Sequence, residues 1–164
     1  MKILANDGIA AAGKAELEKA GFTVVTETVA QENLINAIKD QGYEVILVRS
    51  ATKIRKDIFD ACPGIKMIGR GGVGMDNIDV EYGRSKGVNV FNTPASSSQS
   101  VAELVMAHLF GAVRFLYDSN RQMPVNGVSE FKVLKKKYAK GMELRGKTLG
   151  ILGFGRIGQA IAGY

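Results

Sequence analysis

The sequence is poor in the residues that disulfides and metal sites require. Its 164 residues contain one cysteine, Cys62, and one histidine, His108. A single cysteine cannot form an internal disulfide, and its isolation is typical of a protein kept in a reducing cytoplasm. One histidine and one cysteine also provide neither a metal-ligand cluster nor a Cys–His catalytic pair. We therefore interpret Cys62 as a space-filling residue near a turn, and His108 as a packed residue in a helix.

Segments that would attach the chain to a membrane or to nucleic acid are also lacking. No apolar run approaches the ~18 residues of a transmembrane helix. The start, MKILAND, is too short and too polar for a secretory signal. The net charge is +6, but much of the excess lies in one stretch without a zinc-finger or RNP-type motif. We interpret that stretch as a solvated connector, and we expect a cytoplasmic protein that binds neither membranes nor nucleic acid. Its basic side chains are Lys132, Lys135, Lys136, Lys137, Lys140, Arg145 and Lys147.

Strand and helix signals alternate through the first part of the chain. Glycines just past the predicted helices are typical stop signals. Five strands with intervening helices predict an α/β fold with a flavodoxin-like, doubly wound parallel sheet. We assign this sheet to a first domain, residues 1–98, which the family resemblance given below implies to be the substrate domain. The predicted strands are 3–5, 22–26, 45–48, 66–69 and 88–91, and the predicted helices are 10–20, 31–39, a short one through Ile58 and Phe59, and 80–86.

A different pattern begins after residue 98. Ser100 and Glu103 have the spacing of a capping box, which predicts a helix over 101–116. This segment is apolar on nearly every face, and a helix of that kind is normally buried on all sides. We interpret it as an element that joins two domains or lies at a subunit interface.

The stretch GKTLGILGFGRIG, residues 146–158, carries a dinucleotide-binding fingerprint. A predicted strand over 148–152 leads into Gly153, Gly155 and Gly158, and a helix is predicted from 159. In this pattern the glycines permit a tight turn, a close approach of pyrophosphate and close helix packing. We interpret residues 99–164 as the linking helix and the truncated start of a Rossmann domain. The acidic ribose ligand expected ~20 residues on is absent, so we expect either a fragment of a longer enzyme or a sequence without its downstream part.

A candidate ligand site lies where the predicted parallel strands end. Arg49 and Arg70 each follow a strand directly, and Arg70 opens a glycine-rich turn. Ligands of open parallel sheets bind outside the carboxyl ends of the strands. Arginine forks and glycine amides both suit carboxylates and phosphates. In the alternative interpretation, Gly71, Gly72 and Gly74 only serve a tight turn, and the arginines pair with acids such as Asp76.

Four segments of the chain resemble the D-isomer-specific 2-hydroxyacid dehydrogenases. They are VRSATKI (48–54), IGRGGVGMDNID (68–79), NTPASSSQSVAELVMAHL (92–109) and ELRGKTLGILGFGRIG (143–158). They occur in the family's order and spacing, and within the family they most resemble the members that act on 3-phosphoglycerate. The resemblance implies a substrate domain followed by a cofactor domain, with the active site in the cleft between them.

The resemblance also implies which residues bind the substrate. The amides of Gly71 and Gly72 would hold the substrate carboxylate. Arg49, Ser50 and Arg70 would approach its distal phosphate. These are contacts with a small anionic substrate.

Cofactor contacts are implied in the same way, with NAD as the expected cofactor. NADP is not excluded, because the residues that decide between the two lie past Tyr164 in the family. The implied cofactor-binding residues are Val73, Gly153, Gly155, Arg156, Ile157 and Gly158.

The implied reaction is hydride transfer from C2 of 3-phosphoglycerate to the nicotinamide, giving 3-phosphohydroxypyruvate for serine biosynthesis. The family's catalytic arginine, glutamate and histidine lie downstream of the fingerprint, so we assign no catalytic residue here and expect these 164 residues alone to be inactive. The alternatives are a glyoxylate, hydroxypyruvate or D-lactate-type reductase, or a non-catalytic interaction protein on the same scaffold. A homodimer or a larger homo-oligomer is also implied.

Overall fold

A computed structural model describes residues 1–164 and divides the chain into two compact units. The first unit is Met1–Ser96 and the second is Ser97–Tyr164.

The first unit is built on a five-stranded sheet in which all neighbouring strands are parallel. The strand order is β2-β1-β3-β4-β5. This is the flavodoxin-like, doubly wound order, so the predicted fold class is confirmed. The strands are β1 (Lys2–Ala5), β2 (Thr23–Val25), β3 (Val45–Val48), β4 (Met67–Arg70) and β5 (Asn89–Asn92).

Four helices connect these strands, and left-handed glycines end several of the connections. Gly42 follows α2 with φ 65°, and Gly21 and Gly87 have φ 87° and 82°. Only a residue without a Cβ adopts this conformation at no steric cost, which explains why these glycines are reliable stop signals. The helices are α1 (Ala11–Lys19), α2 (Leu34–Gln41, preceded by a 3-10 turn over Gln31–Asn33), α3 (Lys56–Ala61) and α4 (Val80–Ser85).

The main core lies on one face of the sheet. Leu4, Ile46 and Ile68 point to that face from three adjacent strands and are fully buried. Leu34 of α2 and Ile58 of α3 pack against them in the same cluster. Each such side chain contributes roughly 1.5–3 kcal/mol when it is removed from water. A smaller cluster around Ile3, Val24 and Val45 occupies the opposite face.

The second unit consists of three helices, α5 (Ser98–Val113), α6 (Leu116–Tyr138) and α7 (Arg156–Gly163). The chain turns between α5 and α6 at Phe115, which has a left-handed φ of 54°. None of the helices is long and apolar enough to cross a membrane on its own. Only α5 and α6 taken together reach such a length and composition, and they bend by 54° where they meet.

The start of α5 differs from the prediction. The helix begins at Ser98 and not at residue 101, and no side chain caps its first turn. The predicted capping box of Ser100 and Glu103 is therefore wrong, because both residues already lie inside the helix. Glu103 instead accepts a hydrogen bond of 3.0 Å from the hydroxyl of Tyr164 in the same unit.

Burial of α5 on all sides is not reached within this chain. Ala102 is its only buried residue, whereas Leu104 and Phe110 are 56% and 53% exposed. His108, interpreted as a packed residue, is exposed as well. Only α6 and α7 pack against α5 within this unit. An apolar pattern indicates that a helix needs covering, but it does not identify what covers it.

The predicted strand over 148–152 does not form, and α7 begins at Arg156, three residues earlier than predicted. A strand is stabilised by hydrogen bonds to a neighbouring strand, and the second unit contains no other strand. The basic stretch is only partly a connector, because its residues up to Tyr138 continue α6. The lysines that it carries are exposed, as predicted.

Candidate functional site

A cavity of about 800 Å³ lies at the carboxyl edge of the first unit's sheet. In a parallel sheet of this order, the direction in which successive strands are added reverses between β1 and β3. Ligands bind at that switch point. The cavity opens there and extends across the ends of β4 and β5. Its polar wall consists of Asp7, Arg49, Arg70, Gly71 and Thr93, and its apolar floor includes Leu17, Leu47 and Phe91.

Arg49 and Arg70 face this cavity as unpaired cations. Neither takes part in any of the ion pairs of the chain, so the alternative in which they pair with Asp76 is wrong. The Nε of Arg70 is buried and has no hydrogen-bond partner. Leaving a buried donor unsatisfied costs about 1–3 kcal/mol, so contacts within the chain do not satisfy the Arg70 side chain fully.

The glycine-rich turn makes room for the side chain of Arg70. A Cβ on Gly72 would lie 1.5 Å from Nη1 of Arg70, and Gly72 has a φ of 150°. A Cβ on Gly71 would lie 3.5 Å from Cγ of Arg49. A Cβ at position 72 would therefore displace the guanidinium of Arg70, whereas one at position 71 would make only an ordinary van der Waals contact.

The amides of the turn already have acceptors within the protein. The N–H of Gly71 donates to the carbonyl of Val48 at 2.8 Å. The N–H of Gly72 donates to Oγ1 of Thr93, also at 2.8 Å. A substrate carboxylate on these amides, as the resemblance implies, would have to replace those bonds. The side chains of Arg49 and Arg70 could bind an anion without breaking such a hydrogen bond.

The loop that carries Arg49 is fixed by two side chains from other segments. Oδ2 of Asp7 accepts the amides of Arg49 at 2.6 Å and of Thr52 at 3.1 Å. Nδ2 of Asn77 donates to the carbonyls of the same two residues, at 2.9 and 2.7 Å. Burial would raise the pKa of Asp7, but hydrogen bonds from the Thr52 hydroxyl and from the amides of Arg49, Thr52 and Ala51 hold that pKa below its ordinary value.

The fingerprint glycines have distinct geometries in the second unit. Gly153 adopts a left-handed φ of 94°. A Cβ on Gly158 would lie 2.3 Å from the carbonyl oxygen of Gly153, so the first turn of α7 packs directly on the preceding loop. Gly155 occupies the N-cap position of α7, and a Cβ there would contact nothing. These are the turn, the close packing and the open approach that dinucleotide binding requires.

Neither unit offers a metal centre or a reactive thiol. No group of three or more His, Cys, Asp or Glu side chains is placed to hold a metal ion. The Cys62 side chain is buried in the core, with its Sγ 3.8 Å from the carbonyl oxygen of Ile35. Burial raises the pKa of this thiol, which confirms the space-filling interpretation.

Comparison with known proteins identifies the family. The family model of the catalytic domain of D-isomer specific 2-hydroxyacid dehydrogenases matches residues 3–154. The chain belongs to this family. It is 40% identical over 161 residues to D-3-phosphoglycerate dehydrogenase of Methanocaldococcus jannaschii, covering 98% of this chain and 29% of that protein. It is also 40% identical over 146 residues to hydroxypyruvate reductase of Thermotoga maritima, covering 89% of this chain and 45% of that protein.

Solved structures of 2-hydroxyacid dehydrogenases and their relatives have the same fold. An NAD-bound 3-phosphoglycerate dehydrogenase of Entamoeba histolytica superimposes with a TM-score of 0.70 and 33% identity, covering 99% of this chain and 49% of that one. An NAD-dependent formate dehydrogenase of Staphylococcus aureus gives a TM-score of 0.72 and 26% identity, covering 99% and 52%. The chain thus spans about half or less of the relatives it matches.

The structure brings only some of the predicted site residues together. Arg49, Arg70 and Gly71 line the cavity, whereas Ser50, Gly72 and Val73 lie on the same edge without lining it. The predicted cofactor residues other than Val73 form a separate group at the start of α7.

Asp7 and Thr52 follow predicted strands at the candidate ligand edge, but the sequence indicates no role for either, and Asn77 is not among the predicted site residues. The one signal for Asp7 is its position soon after β1. Asn77 lies in a family-like segment, but an isolated asparagine carries no chemistry that would single it out.

Proposed function

We propose that the chain is the substrate-binding part, with the start of the cofactor domain, of an NAD-dependent dehydrogenase that oxidises 3-phosphoglycerate to 3-phosphohydroxypyruvate in serine biosynthesis. Residues 1–98 would form the substrate domain and residues 99–164 the linking helix and the beginning of the NAD-binding domain. The complete protein would be cytoplasmic and would bind neither membranes nor nucleic acid.

The pair of unpaired arginines carries this proposal. Two cations at one cavity suit a substrate with two anionic groups, and 3-phosphoglycerate has a carboxylate and a phosphate. Glyoxylate, hydroxypyruvate and lactate each have a single carboxylate. Relatives named for both kinds of activity are equally identical to the chain. The arginine pair is therefore the observation that favours the phosphorylated substrate.

Residues of this chain would bind and orient the reactants. The guanidinium groups of Arg49 and Arg70 would hold the anionic ends of the substrate, which fixes the position of C2. The open Gly155 and the amides of the first turn of α7 fit a pyrophosphate. NAD, or alternatively NADP, supplies the acceptor for the hydride when it is bound.

A base for the hydroxyl proton would have to come from outside this chain. The one carboxylate of the cavity belongs to Asp7, and its oxygens already accept backbone amides and the Thr52 hydroxyl. We therefore predict that the isolated chain has no dehydrogenase activity. Measurable turnover of 3-phosphoglycerate by residues 1–164 alone would contradict this prediction.

Calorimetric titration of the chain tests the substrate class. We expect 3-phosphoglycerate to bind more tightly than D-glycerate, which has the same carboxylate and hydroxyls but no phosphate. Arg49→Ala and Arg70→Ala should each weaken 3-phosphoglycerate binding roughly 10- to 100-fold, the range of a lost charge-assisted contact. Arg55→Ala is the matched control, because Arg55 pairs with Asp79 at 3.0 Å outside the cavity. Equal affinities for the two ligands would favour the reductase alternative.

A homodimer or larger homo-oligomer is part of the proposal. Leu104 and Phe110 of α5 and Val128 of α6 are at least half exposed, and Val128 is fully exposed. Exposed apolar surface of this extent is typical of interaction sites, and a second copy presents the same apolar helices. Sedimentation velocity should show a dimer whose dissociation is promoted by Leu104→Glu. A monomer at all concentrations would contradict this assignment.

A further inference from the structure

Asp7 is an acid beside two arginines that pairs with neither of them. Its carboxylate lines the same cavity as Arg49 and Arg70, yet it takes part in no ion pair. Its oxygens instead accept the amides of Arg49 and Thr52 and the hydroxyl of Thr52. The negative charge is therefore directed to the backbone of the loop, and the guanidinium groups stay available for a ligand.

Asn77 holds the same two residues through their carbonyls. Its Nδ2 donates to the carbonyl oxygens of Arg49 and Thr52, and its side chain is only 6% exposed. Asp7 thus accepts the backbone N–H groups of Arg49 and Thr52, and Asn77 donates to the backbone carbonyls of the same two residues. A loop held at its two ends in this way has few alternative conformations.

Asn6 anchors this arrangement to the sheet. Its Nδ2 donates to Oγ1 of Thr52 at 2.8 Å and to the carbonyl of Val29 at 3.1 Å, and its backbone N–H donates to the carbonyl of Leu47 at 3.0 Å. Asn6 is 2% exposed and directly precedes Asp7. The position of the Asp7 carboxylate is therefore set by β1 and not by a mobile loop.

We propose that Asp7 and Asn77 form a clamp that positions Arg49 for a phosphorylated or carboxylated ligand. This inference rests on the proposed function, because it assigns the residues that prepare the same anion site. Neither residue is a catalytic residue in this scheme, and both act through Arg49. Preorganisation of this kind strengthens binding because the loop does not have to be ordered when the ligand arrives.

Asp7→Asn separates this role from simple electrostatics. Removal of a negative charge near an anion should tighten binding if only Coulomb energy matters. The clamp predicts the opposite: binding of 3-phosphoglycerate weakens about tenfold, because an amide has one acceptor oxygen where the carboxylate has two, so either the loop's N–H groups or the Thr52 hydroxyl lose their acceptor. Asp60→Asn is the matched control with the same change of charge, since Asp60 pairs with Lys86 at 2.7 Å away from the cavity. It should leave the affinity within about twofold.

Substitutions at Thr52 provide a second test if Asp7→Asn does not fold. Thr52→Val removes the hydroxyl that both Asp7 and Asn6 bind, and we expect binding to weaken about three- to tenfold. Thr52→Ser keeps the hydroxyl and should restore the affinity. In ¹⁵N spectra at saturating ligand, the amide resonance of Arg49 should shift in the Thr52→Val variant. In the Thr52→Ser variant it should keep the position that it has in the unaltered chain.

The possible failures are distinguishable. If the unaltered chain does not bind 3-phosphoglycerate, the proposed function is overturned and the clamp has no ligand to prepare for. If the unaltered chain binds but Asp7→Asn, or Thr52→Val in its place, binds equally well or more tightly, the clamp alone is overturned.

Discussion

Replacement of Gly72 by alanine tests how the turn shapes the anion site. Gly72 has a φ of 150°, and a Cβ at this position would lie 1.5 Å from Nη1 and 2.7 Å from Cζ of Arg70. An alanine would therefore face two separate penalties. Its backbone would be strained, because this region of φ is essentially restricted to glycine. The guanidinium of Arg70 would also have to leave its position, since the two groups cannot share the same space.

The two penalties have different sizes and different readouts. Backbone strain of this kind costs about 1–3 kcal/mol of folding stability. In a domain of about 100 residues, each kcal/mol lowers the melting temperature by roughly 4–8 °C. Displacement of the guanidinium costs little stability, because it is the far end of a flexible side chain. It should instead remove the contribution of Arg70 to anion binding, roughly 10- to 100-fold.

A double-mutant cycle measures these effects separately. Gly72→Ala, Arg70→Ala and the double variant are compared by thermal unfolding and by titration with 3-phosphoglycerate. We expect the double variant to bind no more weakly than Arg70→Ala alone, because both changes remove the same contact. Gly64→Ala is the control, since a Cβ there contacts nothing. Wild-type affinity in Gly72→Ala, or losses that multiply in the double variant, would refute the reasoning.

Four further expectations concern single positions of the chain. Gly158→Ala should destabilise α7 by about 1–3 kcal/mol in hydrogen exchange, because its Cβ would lie 2.3 Å from the oxygen of Gly153. Gly127→Ala in α6 should stabilise its helix by up to ~1 kcal/mol, because the atom nearest to the new Cβ would be 3.6 Å away. A change of stability with the same sign in both alanine variants would contradict the steric argument. Cys62 should react with iodoacetamide much more slowly in the native chain than in guanidinium, because it is buried and its pKa is raised. Because the pKa of Asp7 is lowered in the folded chain, its contribution to stability is present above the ordinary value of 3.8 and lost as the pH falls through the folded value. Stability below about pH 4 should therefore fall less steeply in Asp7→Asn than in the unaltered chain.

The first unit could be predicted because its signals are local. The strand over Val45–Val48 has the predicted bounds, since a continuous apolar and mostly β-branched run between polar turns has few other interpretations. The other strands and the helices of this unit differ by only a few residues at their ends. Gly42 marks the end of α2, because the left-handed residue that follows a helix is usually a glycine.

The second unit is less predictable because its elements depend on partners. The segment 148–152 has strand character but no strand beside it. The apolar faces of α5 require a cover that residues 97–164 provide only in part. In both cases the sequence pattern is present, but residues 97–164 do not contain the neighbour that the prediction assumes.

Prediction of the candidate site from the sequence is limited in the same way, because it depends on contacts that single residues make with distant parts of the chain. Arg49 and Arg70 can be found because they lie at the ends of strands, which is a property of chain order. Their freedom from ion pairs could not be predicted, because it depends on where acids such as Asp76 point. The clamp depends on contacts between residues far apart in sequence, with Thr52 and Asn77 separated by 25 positions. No local pattern contains that information.

Attraction of an anion to this cavity does not come from the overall charge of the protein. Residues 1–96 contain twelve Lys and Arg and twelve Asp and Glu, so the unit that holds the cavity is formally neutral. Residues 97–164 contain ten Lys and Arg and four Asp and Glu, and they carry the whole net charge of +6. The positive character of the cavity must then be local. It arises because the carboxylate of Asp7 is satisfied by backbone amides and a hydroxyl, which leaves Arg49 and Arg70 without a counter-charge at the one edge of the sheet where a ligand can reach both.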